Sequence, residues 1–209
     1  MFRDVFLEVT KRLDEYYERR EKAIKISRDL LRLAREIINN VHNKDFDRAH
    51  QLLLRANDIV EQINSIGKED PRIIFSGFWT DVTKELAEAA IFKHVMERKL
   101  LGRQSKLPSP GDLKISDEAW ILGLCEVAGE IKREILLAVR DNNFSLAKGL
   151  LSALGEIYSL VSNLAYPHSV LPGIKSRVDY VRNILVASEE LVIRMEHEAK
   201  VLENLRSKM

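Results

Sequence analysis

The chain has a single cysteine, Cys125, among its 209 residues. No intrachain disulfide can form, and that usage fits a reducing compartment. Glycine and proline are scarce, at nine and five residues. The punctuation of a turn-rich β protein is therefore missing, and long uninterrupted helices are favoured. Charge of one sign is lacking too: 33 Lys and Arg face 32 Asp and Glu, for a net charge of +1. No global field draws the chain to nucleic acid, so any anion binding must come from local clustering. No apolar run reaches the roughly 18 residues that span a bilayer. The opening Met1-Phe2-Arg3-Asp4 lacks the basic start and apolar stretch of a secretory signal. The expectation is a cytoplasmic protein with no membrane partner.

What is present is helical periodicity. Hydrophobic residues make up 45% and charged residues 31% of the chain, which suits a soluble globular protein. From about residue 4 to 42 there is no Pro or Gly, and Phe6, Val9, Leu13, Tyr17, Ile24, Leu31, Ala34, Ile38 and Val41 recur mostly at three- and four-residue steps. That predicts one long amphipathic helix, long enough to suggest coiled-coil-like packing or an oligomer surface. A second helix is predicted from Asp45 until Gly67 stops it. A third is opened by Asp70 as N-cap and Pro71 at the first helical position, and runs to about 101. Phe75, Phe78 and Trp79 within it, and Trp120 later, read as core. Segment 103–115 holds Pro108, Pro110 and Gly111 and reads as the only clear loop. Ser116 caps a fourth helix to about 140, a fifth spans about 144–164, and the last about 174–205. The prediction is an all-α single domain over 1–209, a bundle of about six to seven long helices with antiparallel neighbours.

Two pairs of carboxylates stand out. Glu126 and Glu130 are four apart, and Glu85 and Glu88 three apart, so each pair shares one helix face. Their neighbours are Gly, Leu, Cys, Val, Ala and Phe rather than the Lys, Glu and Gln of a solvated face. Charges lodged among small apolar residues are costly without compensation. If the two helices pack side by side, four carboxylates converge, and oxygen ligands of that kind suit Mg²⁺ or Mn²⁺. The plainer alternative is surface glutamates paired with Lys84, Lys132 or Arg133. A ferritin-like di-iron site requires Glu-x-x-His, and no Glu here is followed three residues later by His. Cys125 has no His–Asp partnership and reads as a buried thiol.

Cations form a second pattern. Lys25, Arg28, Arg32 and Arg35 are spaced three, four and three along the first helix. They form a stripe that either contacts phosphates or is simply solvated. Arg133 falls three residues after Glu130, where it either steers a phosphate or neutralises that acid.

The stretch Ile121-Leu122-Gly123-Leu124-Cys125-Glu126-Val127-Ala128-Gly129-Glu130 resembles the signature helix of translin-associated factor X, in the translin family. Glu85-Leu86-Ala87-Glu88-Ala89 with Phe92 and His94 resembles that family's other acidic helix. Glu18-Arg19 with Lys25-Ile26-Ser27-Arg28-Asp29 resembles its first. The resemblance runs from about residue 15 to 195 and is closest to the catalytic branch. It implies a translin-like α-α superhelix and a metal-dependent endoribonuclease that cuts single-stranded RNA inside a hollow homo-octamer. It also implies Glu85, Glu88, Glu126 and Glu130 as catalytic acids. Of these, Glu88, Glu126 and Glu130 would hold Mg²⁺ or Mn²⁺. Arg133, Lys25, Arg28 and Arg32 would contact RNA or DNA. At one position the chain departs: the family usually has Asp where Glu126 stands, one methylene shorter. Translin itself lacks these acids, so the alternative is a non-catalytic single-stranded RNA- or DNA-binding oligomer. A helical scaffold without nucleic acid is the third reading.

Overall fold

The computed structural model describes residues 2–206. Seven helices and no strand occur among the described residues: α1 (Phe2–His42), α2 (Phe46–Glu69), α3 (Gly77–Leu101), α4 (Pro110–Leu113), α5 (Asp117–Arg140), α6 (Phe144–Val161) and α7 (Ile174–Arg206). The all-α prediction holds. The described residues divide into two compact units, one of 2–87 with 109–120 and the other of 88–108 with 121–206. The division falls inside α3, between Ala87 and Glu88.

In the first unit α1 and α2 pack together through Leu30, Ala34, Ile37 and Val41 on one side and Ala49, Leu52, Ala56, Val60 and Ile63 on the other, all buried. Lys44 takes the left-handed conformation (φ 62°) in the turn between them. Asp45 caps α2 by accepting the Arg48 N–H at 3.0 Å. The apolar stripe of α1 departs from expectation in two ways. Phe6, Val9, Leu13 and Tyr17 are exposed, and Ile24, Leu31 and Ile38 are only half-buried because the covered face runs through Ala23, Leu30, Leu33 and Ile37. The first difference follows from length. At 1.5 Å per residue α1 is roughly 60 Å long and α2 roughly 36 Å, so α2 cannot reach back over the start of α1.

Gly67 does not stop α2. It lies buried inside the helix, and a Cβ there would fall 2.0 Å from Ile74 Cγ1. Glycine at this position permits close approach of the 71–76 turn. Nor does Asp70 open the next helix. Its carboxylate accepts from Arg72 Nε at 2.8 Å and Nη2 at 2.7 Å, and Arg72 in turn stacks 4.0 Å from the Tyr16 ring centroid. The Asp-Pro pair thus builds a turn, and α3 starts only at Gly77. Phe75, expected in the core, lies on that turn and is 85% exposed. Trp79 is buried as expected. Phe78 is half-buried, with the Arg20 guanidinium over its ring at 5.8 Å. The proline-rich loop contains the short helix α4, closed by a capping box: Asp112 N donates to Ser109 Oγ, and Ser109 N to the Asp112 carboxylate.

In the second unit α6 and α7 pack together. Its core includes Phe92, Met96, Cys125, Ile131, Ile135, Leu150, Leu154 and Val181, each large apolar side chain stabilising by about 1.5–3 kcal/mol on burial. Asn143 caps α6, accepting from Leu146 N at 3.1 Å. By length and composition α6, at 18 residues with a mean hydropathy of 1.2, could cross a membrane, contrary to expectation from the sequence. It carries Lys148 and Glu156, and it turns Ala147, Leu150, Leu154 and Ile157 into the protein. Lys93 and Arg103 both bind the buried Glu97 carboxylate, at 2.8 and 2.7 Å, so that charge is compensated within the fold.

Candidate metal and phosphate site

The two acidic pairs lie where the sequence placed them, on α3 and α5. Glu85 and Glu88 are one turn apart on α3, flanked by the buried Leu86, Ala87, Ala89 and Ala90. Glu126 and Glu130 are one turn apart on α5, among the buried Leu124, Cys125, Val127 and Ala128. Glu88 is itself buried, and Glu85, Glu126 and Glu130 are half-buried. A carboxylate oxygen of Glu88 and one of Glu126 lie within 4.8 Å of each other. Glu88 and Glu126 therefore face each other within reach of one shared ion. Both donors are hard oxygens, with no thiolate or imidazole beside them in the cavity lining. That set fits a divalent cation such as Mg²⁺ or Mn²⁺ and disfavours softer metals.

Glu130 lines the same cavity as this pair. That cavity, of about 340 Å³, is bounded by Glu88, Glu126, Gly129, Glu130, Arg177 and Tyr180. The last two come from the start of α7 and were not singled out from the sequence. Gly173, in the left-handed conformation (φ 73°), turns the chain into α7, and Arg177 N bonds Gly173 O at 3.2 Å. Tyr180 follows three residues later on the same face. Arg177 Nη2 lies 3.4 Å from Glu126 Oε1. A Cβ built on Gly129 would fall 2.7 Å from the Tyr180 hydroxyl, so the glycine of the Gly-Glu signature makes room for that tyrosine. Burial, and then the charges of Glu126, Glu88 and Glu130, push the Tyr180 hydroxyl above its ordinary pKa, and it stays a protonated donor. Burial pushes the Cys125 thiol up to about 11, which keeps it inert beside the acids. Burial also holds His94 below its ordinary value. Its Nδ1 lies 3.2 Å from Ser105 Oγ.

The cations named from the sequence lie elsewhere. Arg133 is exposed and is not part of the cavity wall, where Arg177 is the cation instead. Lys25, Arg28 and Arg32 are exposed on α1. Arg32 is engaged along its own helix, 3.2 Å from Asp29 and 3.3 Å from Glu36. Arg28, Arg32 and Arg35 with Leu31, Glu36 and Asn39 border an open groove of about 410 Å³. Nothing in the spacing of the last helix marks Arg177 and Tyr180. The one signal was Gly129, a helix-interior glycine that needs a packing reason.

Comparisons with known proteins agree with this architecture. The model of the translin family matches residues 18–196. In sequence the chain is 26% identical over 188 residues to MJ0175, an uncharacterized protein of Methanocaldococcus jannaschii, covering 90% of this chain and 81% of that one. Among solved structures it is similar to AfC3PO, with a TM-score of 0.79 at 23% identity over 92% of this chain and 97% of that one. AfC3PO in complex with duplex RNA matches equally well. Apo-NeC3PO matches with a TM-score of 0.75 at 17% identity, covering 90% and 95%. At these identities the structural likeness is one of fold.

Proposed function

The chain belongs to the translin family, and from that premise we propose that it is a metal-dependent endoribonuclease working as an oligomer of its own copies. The observation that carries the proposal is the approach of Glu88 and Glu126 oxygens within 4.8 Å of each other, in a cavity that also holds Glu130. Glu88 and Glu126 would hold Mg²⁺ or Mn²⁺. When bound, such an ion supplies Lewis acidity, lowering the pKa of a water and offsetting phosphate charge. Glu130, on the cavity wall, would take the proton of a water that attacks phosphorus while the P–O bond to the leaving RNA oxygen breaks and that oxygen takes a proton from solvent. Arg177 keeps a fixed positive charge next to Glu126, and Tyr180 narrows the cavity from the α7 side.

RNA as the substrate is supported by the fold shared with AfC3PO, which has been solved with duplex RNA. The family resemblance points to single strands. Self-assembly is supported by the start of α1, where Phe2, Val5, Phe6, Leu7, Leu13 and Tyr17 are all more than half exposed. These six side chains offer, on the order of magnitude, the ~800 Å² that each partner brings to a stable interface. A hollow octamer is the assembly that the resemblance implies.

The test is cleavage of labelled single-stranded and duplex RNA in Mn²⁺ and in EDTA, with Glu126→Ala and Glu130→Ala alongside. Products that need the metal and vanish in both variants support the nuclease. Binding without metal-dependent products supports the second reading, a non-catalytic RNA- or DNA-binding oligomer. One observation favours that second reading: the Arg177 guanidinium at 3.4 Å compensates Glu126 with no metal required.

A further inference from the structure

Arg177 is an under-used cation in a built cavity. Its side chain is 27% exposed and touches Glu126 only at 3.4 Å, longer than the 2.7–2.9 Å of a charge-assisted bond. Its Nε is buried and finds no hydrogen-bond partner among the described residues. A guanidinium carries five N–H donors in a rigid fork, and leaving one buried and unmet is costly. A fork with free donors matches the paired oxygens of a phosphate. Its position is also specified from outside α7. Tyr180, one turn on, lays its hydroxyl where any side chain at Gly129 would stand, which anchors the start of α7 against α5 between Glu126 and Glu130. Glu88, Glu126 and Glu130 around the cavity repel a phosphodiester, so a cation on the opposite wall has a reason to be there.

We propose that Arg177, held in place by the Tyr180–Gly129 contact, is the residue that contacts the RNA phosphate in this cavity and sets the strand against the carboxylates. The inference rests on the RNA reading above. The competing role is structural, with Arg177 only balancing the charge of Glu126. The two roles diverge in a binding experiment made where cleavage is suppressed. In a Glu130→Gln background, labelled oligo(A) and oligo(U) RNA are titrated in Mn²⁺ over a salt series, with and without Arg177→Gln. A phosphate contact predicts about tenfold weaker binding to both sequences alike and a log–log salt slope smaller by about one. Arg177→Lys keeps the charge but not the fork and regains part of the affinity. Gly129→Ala, which displaces Tyr180 while leaving Arg177 intact, weakens binding in the same direction. Unchanged RNA affinity and slope in Arg177→Gln, together with tighter Mn²⁺ binding in a metal titration, would overturn the proposal in favour of charge balance. The nuclease reading is scored separately, by cleavage with Glu130 restored. Its failure there leaves the binding comparison intact.

Discussion

The basic stripe of α1 and the cavity between α3, α5 and α7 hold the same ingredients, arginine beside carboxylate, and use them differently. On α1, Arg32 meets Asp29 and Glu36 at three- and four-residue spacing. All three side chains are well exposed, so such pairs contribute between nothing and about 1 kcal/mol. In the cavity, Arg177 meets Glu126 across 51 residues of sequence, with both side chains less than a third exposed. There the contact joins two helices, so its geometry is set by how α7 packs on α5. The chemistry belongs to contacts between helices, whereas spacing along one helix chiefly reports local pairing.

The sharpest way to break this contrast is to remove an acid from each region. Glu126→Ala is expected to abolish metal-dependent RNA cleavage, with a loss well beyond the 10–100-fold typical of outer-shell changes at metal sites, while far-ultraviolet circular dichroism stays unchanged. Glu36→Ala, which frees one side of Arg32, should leave cleavage within about twofold and stability within ~0.5 kcal/mol. Equal losses in the two variants would erase the distinction.

Next in size is Gly129→Ala. On an exposed helix this change stabilises by about 1 kcal/mol, but here the new methyl meets the Tyr180 hydroxyl. Cleavage is expected to fall about tenfold, and a Tyr180→Phe, Gly129→Ala double variant should recover part of the loss, because the clashing oxygen is gone. A charge placed in the apolar start of α1 comes third: Phe6→Asp should shift the assembly to smaller species in light scattering and leave metal binding by the monomer unaltered.

The smallest effect is one of pH. Hydrogen bonding to Arg72 holds the Asp70 carboxyl below its ordinary value of 3.8. A depressed acid contributes stability above its unfolded pKa and loses it as pH falls through the folded value. Asp70→Asn should therefore lower the urea midpoint slightly at pH 7 and show less further decline between pH 4 and 2 than the parent. Parallel curves for the two proteins would mean that the Asp70–Arg72 bond contributes nothing to folding.

The helices were legible because long runs without Pro or Gly leave the backbone few alternatives, and caps such as Ser116, which accepts from Ala119 N at 3.2 Å, act locally. The acids of α3 and α5 were legible because small apolar neighbours betray a buried face. Asp70 was misread because its carboxylate has two candidate donors, the next helix's N–H groups and the Arg72 guanidinium, and composition does not say which wins. The start of α1 was legible only in part: its length suggested an oligomer surface, but an apolar stripe looks the same whether its partner lies in the same chain or elsewhere. Arg177 was illegible for a related reason: its meaning comes from α5, which no periodicity of α7 records.

Crystals soaked in Mn²⁺ and read by anomalous scattering test the central claim most directly. The account predicts a peak bonded to oxygens of Glu88 and Glu126, with ligand distances of about 2.1 Å. Saturating Mn²⁺ with no peak beside those carboxylates, in crystals where they retain the positions described, would contradict it.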